Sequence, residues 1–325
     1  AAGINKPPSM QAQDVLASDY RPRRVAYAAR DRCDETIDFI RSARTDRFLY
    51  IRNYHPFRPH LQPSRYKDNK ILLKRLREMR NAGALTESQM ELLFRKRRPA
   101  EELYDLNQDP FETRNVATGS KYAEPLNEMR SLLDTHLLRT RDAGFLPEPL
   151  IAEIAASEQT IHQYCQTESS YPLQDILPLA NAAITGDSQS LPTLQQRLGH
   201  PHRVIRFWAA MGLRVLGDKA QPAEPALRRA LQDSDGSVRI TAAVALASLG
   251  HQAEMGKLLV EEAANASGDA HALWSLDAVK YLDSPSVIEG FSMNELVKGP
   301  YSARSYDYLR KGGLVFGTGT DYWNP

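Results

Sequence analysis

Apolar and polar residues alternate in four short segments of the first third of the chain. Ile37 and Phe39 alternate with Asp38 and Ile40, and a period of two is typical of a strand with one buried face. The connection at Thr45 and Asp46, between the second and third of these segments, is short enough for a tight hairpin. The pattern predicts an antiparallel sheet of four strands, at residues 25–29, 36–43, 47–54 and 102–106.

Two kinds of helix are predicted around these strands. Residues 122–141 have a helical period, with one face formed by Leu126, Met129, Leu132, Leu133, His136 and Leu137. Between the third and fourth strands, Asp68 can cap a helix over residues 69–81, with an apolar face of Ile71, Leu72, Leu76 and Met79. Thr86 and Gln89 have capping-box spacing for a second helix that ends at Phe94.

A pattern of apolar positions recurs every 33 residues in the second half of the chain. It comprises Ile205, Ala209, Gly212, Leu213, Leu216 and Gly217, then Val238, Ala242, Ala245, Leu246, Leu249 and Gly250, and a degenerate copy from His271 to Asp283. Arg206 and Arg239 occupy matching places. With pairing helices predicted at 224–231 and 255–263, the unit is a helical hairpin that resembles HEAT-type repeats. Residues 173–184 are predicted to open the array and residues 301–310 to close it.

These elements divide the chain into four parts. We expect an α+β unit at residues 1–146 with an antiparallel four-stranded sheet and packed helices, and a linker at 147–172 that contains one short helix. An α-solenoid of HEAT-like helical hairpins follows at residues 173–312, and a tail at 313–325 completes the chain. Trp208 and Trp274 fall within the repeats, where aromatic residues are expected to serve packing.

Charge is distributed unevenly over the 325 residues. Residues 1–100 contain 22 Lys and Arg against 11 Asp and Glu, a net charge of +11, whereas residues 101–325 carry −10. A basic third favours anionic partners such as sulfated sugars or acidic proteins, although the acidic remainder could neutralise it internally. Cys33 and Cys165 are too few for a disulfide framework or a zinc site. No apolar run is long enough to span a membrane, and no signal peptide opens the chain.

Residues 99–117, with the sequence PAEELYDLNQDPFETRNVA, carry the most specific motif. This segment resembles the closing signature of sulfatases, in which a short strand runs into an acidic turn and a docked helix. Residues 23–59 resemble the C-terminal subdomain of the same family, most closely that of the N-sulfoglucosamine sulfohydrolase group. The resemblance covers about residues 1–145. The phrase Ala2-Gly3-Ile4 resembles the helix that leads out of the sulfatase catalytic domain, so we infer that residues before Ala1 are missing.

The resemblance implies chemistry that this chain does not contain. Sulfatases use a formylglycine made from Cys or Ser in a C/S-x-P/A-x-R motif, and a divalent cation held by Asp and Asn. Neither cysteine lies in that motif, so we expect no catalytic residue and no cofactor in this chain. Ca²⁺ and formylglycine are expected in an upstream catalytic domain, and the isolated fragment is expected to be inactive. A periplasmic or secreted location is implied as well.

Two groups of residues are candidates for substrate contacts. Arg30, Asp31, Arg32, Asp34 and Glu35 form a predicted turn whose arginines suit sulfate and whose carboxylates suit sugar hydroxyls. A loop after the third strand adds His55, Arg58 and His60. The alternative for the turn is internal ion pairing among Arg30, Asp31, Arg32 and Asp34. The basic run at residues 95–98 is expected to be solvated.

The sequence therefore supports two functions. The first is the C-terminal part of a sulfatase, with a sulfated sugar as substrate and its own upstream catalytic domain as partner. The second is a non-enzymatic HEAT-repeat adaptor that binds an acidic partner through its basic N-terminal domain. A protein partner for the helical repeats is consistent with both, and neither involves nucleic acid or a membrane span.

Overall fold

The computed structural model describes residues 13–282 and 288–310. The predicted tail at 313–325 and the phrase Ala2-Gly3-Ile4 lie outside the described residues. Four strands form a fully antiparallel sheet in chain order. They are β1 (Ala26–Cys33), β2 (Thr36–Arg44), β3 (Phe48–Asn53) and β4 (Glu101–Asp105). The four-stranded antiparallel sheet is as predicted.

The first hairpin differs from the prediction. β1 continues to Cys33, and its ladder with β2 shifts register between Arg30 and Arg32. Between these two pairs β2 contains one residue more than β1, as in a β-bulge, and the ladder then continues with Arg32 opposite Ile37. The pairing extends in this way although the segment is strongly polar. The predicted turn over residues 30–35 is therefore wrong in extent. The chain reverses only at Asp34, which has a φ of 54°, and Glu35.

Fifteen α-helices occur in the described residues. They are α1 (Arg65–Asp68), α2 (Ile71–Asn81), α3 (Glu87–Phe94), α4 (Ala123–Thr140), α5 (Glu148–Ala155), α6 (Ile161–Gln166), α7 (Leu173–Ala183), α8 (Leu191–Arg197), α9 (Arg203–Leu216), α10 (Glu224–Ala230), α11 (Gly236–Leu246), α12 (Gln252–Ala264), α13 (Asp269–Val279), α14 (Met293–Leu296) and α15 (Pro300–Arg310). Helix α4 packs on β2 and β3. Its buried residues are Leu126, Met129, Leu133 and Leu137.

The predicted apolar face of α2 is wrong in part. Ile71 is 86% exposed and Leu72 is 69% exposed, whereas Leu73 and Arg77 are buried. The guanidinium of Arg77 donates to the buried carboxylate of Asp68 at 2.6 Å. This polar pair, rather than the apolar run, determines which side of the helix faces inward.

The second half of the structure is a stack of helices at the predicted spacing. Helices α7, α9, α11 and α13 each contact the next, and α8, α10 and α12 pack against α9, α11 and α13. Gly217 caps α9, and Gly250 kinks the chain between α11 and α12; both have positive φ, which glycine tolerates best.

Two arginines repeat the same contacts one unit apart. Arg206 donates to the carbonyls of His200 and Pro201, and Arg239 donates to those of Asp233 and Ser234, each 33 residues later. Each arginine also forms an ion pair with an acid further along the chain: Arg206 with Asp233 at 2.6 Å and Arg239 with Glu262 at 2.5 Å. The predicted match between these two positions thus corresponds to a shared bonding pattern that ties each loop to its own helix.

The sheet and the helical stack share one apolar core. The Phe39 ring stacks on Tyr54 with centroids 4.5 Å apart, and both rings contact Phe145 at 5.0 Å. Trp208 of α9 lies 5.7 Å from Tyr54, and its Nε1 donates to the carbonyl of Phe145 at 3.0 Å. Trp208 therefore serves packing, as predicted, and it joins the sheet to the helices.

A buried ion pair makes a second connection. Arg58, in the loop after β3, donates to Asp277 of α13 at 2.5 Å, and both side chains are buried. Burial alone would raise the pKa of Asp277, but the charges of Arg58 and Lys280 hold it below its usual value. The carboxylate is therefore ionised and fixed between the two halves.

Replacing Asp277 by Asn is expected to lower the free energy of unfolding by about 3–5 kcal/mol, because Arg58 would remain buried without its counter-charge. Urea denaturation measures this difference. Asp307→Asn is the control, since Asp307 pairs with Arg65 at 4.0 Å on the surface and should contribute less than about 1 kcal/mol. Equal losses in the two variants would contradict the role of the buried pair.

Candidate functional site

The end of the first hairpin opens onto a cavity of about 360 Å³ between the sheet and the helices. Three of the predicted site residues, Asp31, Arg32 and His55, line this cavity. Its remaining walls come from β2, from the segment around α5 and from the helical stack. They include Ile37, Asp38, Phe39, Gly144, Leu146, Pro147, Glu148, Ile151, Phe207, Trp208 and Trp274. This junction is our candidate functional site.

Each charge of the hairpin has a partner on another element. The pairs are Arg30 with Asp38 at 3.5 Å, Asp31 with Arg41 at 2.8 Å, Arg32 with Glu148 at 2.5 Å and Asp34 with Arg304 at 2.9 Å. Within the described residues none of the four pairs with another of the four, so the predicted alternative of pairing inside the turn is not what the structure shows. Two of these pairs connect β1 to β2 within the hairpin, and the other two connect the hairpin to α5 and α15.

Arg32 occupies the most constrained position at the mouth of the cavity. Its guanidinium lies 4.2 Å from the centroid of the Tyr301 ring and donates to the carbonyl of Asp34. Burial would lower the pKa of Arg32, but the neighbouring Glu148 carboxylate raises it overall. A fixed, permanently charged fork at a cavity mouth can bind a sulfate or carboxylate group.

His55 lies at the inner end of the cavity. It is buried, and its ring contacts Phe39 and Phe57. Burial, followed by the charge of Arg58, lowers the pKa of His55 well below its usual value. Neither His55 Nδ1 nor the Nε1 of Trp274 has a hydrogen-bond partner among the residues that the structure describes. Two polar ring atoms are thus left unpaired on the cavity wall, where a ligand could satisfy them.

The other predicted site residues lie elsewhere or are fully used. Glu35 is buried and accepts from the backbone of Arg65 at 2.6 Å and from Arg304 at 3.2 Å. Arg58 is committed to Asp277. His60 lies 3.6 Å from Glu102 and is absent from the residues that line the cavity. Asp31, by contrast, has a side chain that is 56% exposed and remains accessible.

Several residues of the site were not predicted. Glu148 and Ile151 come from a segment interpreted as a linker, and Trp274 was interpreted as packing in a repeat. Nothing in their local sequence indicates a site, because they meet the hairpin only through long-range packing. In the structure Trp274 is partly exposed on an otherwise buried helix face, and this exposure of a large aromatic residue indicates the cavity.

A larger depression of about 690 Å³ lies toward the other edge of the sheet, beside β3 and β4. Its polar side chains bond to one another: Arg130 donates to Glu101, Arg52 donates to Asp134, and Asn181 bonds to both Arg52 and Asp134. Because these groups are already paired, this network is better suited to holding α4 and α7 on the sheet than to binding a ligand.

The described residues offer neither a cluster of metal ligands nor a helix that could span a membrane. Across residues 13–282 and 288–310, no group of three or more His, Cys, Asp or Glu side chains is arranged to hold a metal ion. Over the same residues, every helix is too short or too polar to cross a bilayer.

Different parts of the chain are similar to different known proteins. Residues 191–277 match the family model for HEAT repeats. An ulvan-active sulfatase from Formosa agariphila is 39% identical over 140 residues, which make up 43% of this chain and 23% of that protein. A Delta 4,5-hexuronate-2-O-sulfatase from Bacteroides thetaiotaomicron is 48% identical over 42 residues, 13% of this chain and 9% of that protein. These identities show that part of the chain is homologous to sulfatases. The chain spans less than a quarter of the length of these curated relatives.

The imidazole of His55 is expected to remain neutral in the folded protein at the pH at which a free imidazole is half protonated. Its folded pKa lies below the unfolded value of about 6.5, so the unfolded state binds the proton more readily. The His55 contribution to stability is therefore complete above pH 6.5 and is lost progressively as the pH falls below it. Imidazole ¹⁵N chemical shifts measure the charge, and a midpoint near 6.5 in the folded state would contradict this.

Proposed function

We propose that this chain is the C-terminal part of a sulfatase that hydrolyses sulfate esters or sulfamates of a sulfated sugar. The observation that carries the proposal is the 39% identity to an ulvan-active sulfatase over 140 residues. The sulfatase-like closing motif at residues 99–117 and the antiparallel sheet agree with it. In this proposal the helices after residue 172 form an α-solenoid of HEAT-like hairpins beside the sulfatase subdomain.

The contribution of this chain would be recognition of substrate at the rim of the active site. Arg30 and Arg32 supply cationic forks, and the carboxylate of Asp31 can accept hydrogen bonds from sugar hydroxyls. The ion pairs with Asp38, Arg41 and Glu148 hold these groups in place before substrate arrives. Such preorganisation lowers the entropy lost on binding.

The nucleophile and the cation would come from the upstream domain. Cys33 is followed by Asp34 and Glu35, and Cys165 by Gln166 and Thr167, so neither fits a formylglycine motif. The described residues do not fit a Ca²⁺ site either, since they contain no cluster of suitable ligands. We therefore derive no chemical step from this chain and assign to it the positioning of substrate alone.

The finer assignments are part of the same proposal. We infer a periplasmic or secreted location, as for an enzyme acting on a polymeric sulfated sugar. The relatives support an assignment to sulfatases but not to the N-sulfoglucosamine sulfohydrolase group in particular, because one of them is named as an O-sulfatase. The helical stack is available for a protein partner, which would give it a role beyond support of the sheet.

The isolated chain is expected to release no sulfate from an aryl sulfate or from ulvan, with or without Ca²⁺, whereas a longer polypeptide that includes the upstream domain should do so. Ion chromatography of free sulfate measures both. Calcium-dependent release by the isolated chain would contradict the proposed division of roles. Inactivity of both polypeptides on every sulfated sugar, with binding of an acidic protein, would favour the adaptor function instead.

In the longer polypeptide, Arg32→Ala is expected to lower kcat/KM on the sulfated sugar by an amount that corresponds to about 1.5–3 kcal/mol, the scale of one charge-assisted hydrogen bond. Arg44→Ala is the matched control, because Arg44 ends β2 on the other side of the hairpin and pairs with Glu112 at 2.8 Å. Wild-type turnover by Arg32→Ala, together with a lower melting temperature, would show that Arg32 only holds the hairpin.

A further inference from the structure

A small buried chamber lies behind the candidate site. It has a volume of about 20 Å³ and shares Ile37, His55 and Trp274 with the larger cavity. Its other polar lining residues are Arg58, Arg214 and Thr241, and the remaining walls are apolar. The loop after β3, helix α9, helix α11 and helix α13 therefore converge on one small space.

Unpaired polar atoms are concentrated on the residues around this chamber. Arg58 Nε, Trp274 Nε1 and His55 Nδ1 are all buried and have no hydrogen-bond partner within the described part of the chain. The arginine and tryptophan nitrogens carry hydrogen and can only donate. A buried donor without an acceptor is unfavourable, so several such donors around one small space indicate that a bound molecule or ion fills it.

Positive charge is also in excess there. Asp277 pairs with both Arg58 and Lys280, the latter at 2.9 Å. Arg214 packs 3.5 Å from the centroid of the Phe57 ring, and across residues 13–282 and 288–310 no carboxylate lies within ion-pair distance of it. Burial, and then the charge of Arg58, lower the pKa of Arg214 well below its usual value. Among these four side chains, three cations therefore face one carboxylate, and Arg214 is the cation that is not paired with it.

We propose that the chamber binds one small monovalent anion of the size of chloride. A space of about 20 Å³ exceeds the roughly 10–15 Å³ that one water molecule requires and is too small for a tetrahedral sulfate group. An anion accepts from every donor around it and offsets the excess positive charge, whereas a water molecule leaves that charge uncompensated. The chamber adjoins the candidate site through His55 and Trp274, but the ion that it takes is smaller than the sulfate group of a sulfated sugar.

The anion would connect parts of the chain that are far apart in sequence. His55 and Arg58 come from the loop after β3, Arg214 from α9 and Trp274 from α13. An ion bound only by the folded state stabilises that state in proportion to the logarithm of its concentration. The junction between the sheet and the helical stack is consequently expected to be more stable in chloride or bromide than in a salt of a large anion.

The first test uses this chain as it is. Melting temperatures are compared in sodium chloride, sodium bromide and sodium gluconate at equal ionic strength. We expect a saturable increase on the order of 2 °C or more in the two halides. Crystals grown in bromide should show an anomalous scattering peak between Arg58 and Trp274. Identical melting in all three salts together with no bromide peak would mean that water fills the chamber, and the proposal would be wrong.

Variants localise the effect. Arg214→Met removes the charge while keeping the aliphatic stem, and Trp274→Phe removes one donor; both should reduce the halide effect, the first most strongly. Arg203→Met is the control on the same helix, because Arg203 pairs with Glu153 at 3.0 Å away from the chamber. Retention of the full halide effect in Trp274→Phe and Arg214→Met would place the ion elsewhere and overturn the proposal. If Arg214→Met does not fold, Trp274→Phe and the bromide peak still decide the matter.

Discussion

The structure depends on one cluster of aromatic rings that the sheet and the helices share. Phe39 of β2 and Tyr54, which follows β3, pack against Phe145, and Trp208 of α9 contacts all three rings. Because the core is continuous from the sheet into the helical stack, the relative position of the two halves is fixed by packing. The cavity beneath the first hairpin follows from that position, since its walls come from both halves.

Part of the opposite charge of the two parts of the chain is used in ion pairs between them. Arginines from the first 100 residues pair with acids from the remainder: Arg32 with Glu148, Arg41 with Asp142, Arg44 with Glu112, Arg47 with Asp105, Arg52 with Asp134 and Arg58 with Asp277. The +11 charge of residues 1–100 is therefore partly compensated by acids of the same chain. In the proposed function, an anionic substrate is expected to bind at particular positions, such as Arg32, rather than along a basic surface.

Much of the fold could be predicted because it is local. The alternation around Ile37 and Phe39 and the 33-residue spacing of Arg206 and Arg239 follow from periodicity, and both correspond to elements of the structure. What could not be predicted depends on distant partners. The extension of β1 depends on a register shift opposite β2, and the inward face of α2 depends on a polar pair with Asp68.

The candidate site was predicted only in part for the same reason. Asp31, Arg32 and His55 carry chemistry that a sequence displays, and they do meet at one cavity. Glu148 and Trp274 join them from α5 and α13, which are far away in the sequence, and only the shared core brings these residues together. Glu35 shows the reverse case, because its charge suggested a contact with substrate but is satisfied by Arg304 and the backbone of Arg65.

In the proposed function, the mouth of this cavity contacts the sugar when the upstream domain is present. Amide hydrogen exchange of the longer polypeptide, with and without a sulfated ulvan oligosaccharide, measures this contact. We expect slower exchange on binding at residues 31–35 and 147–151, which surround the cavity, and unchanged exchange at residues 224–230 of α10. Protection confined to residues upstream of this chain would contradict it.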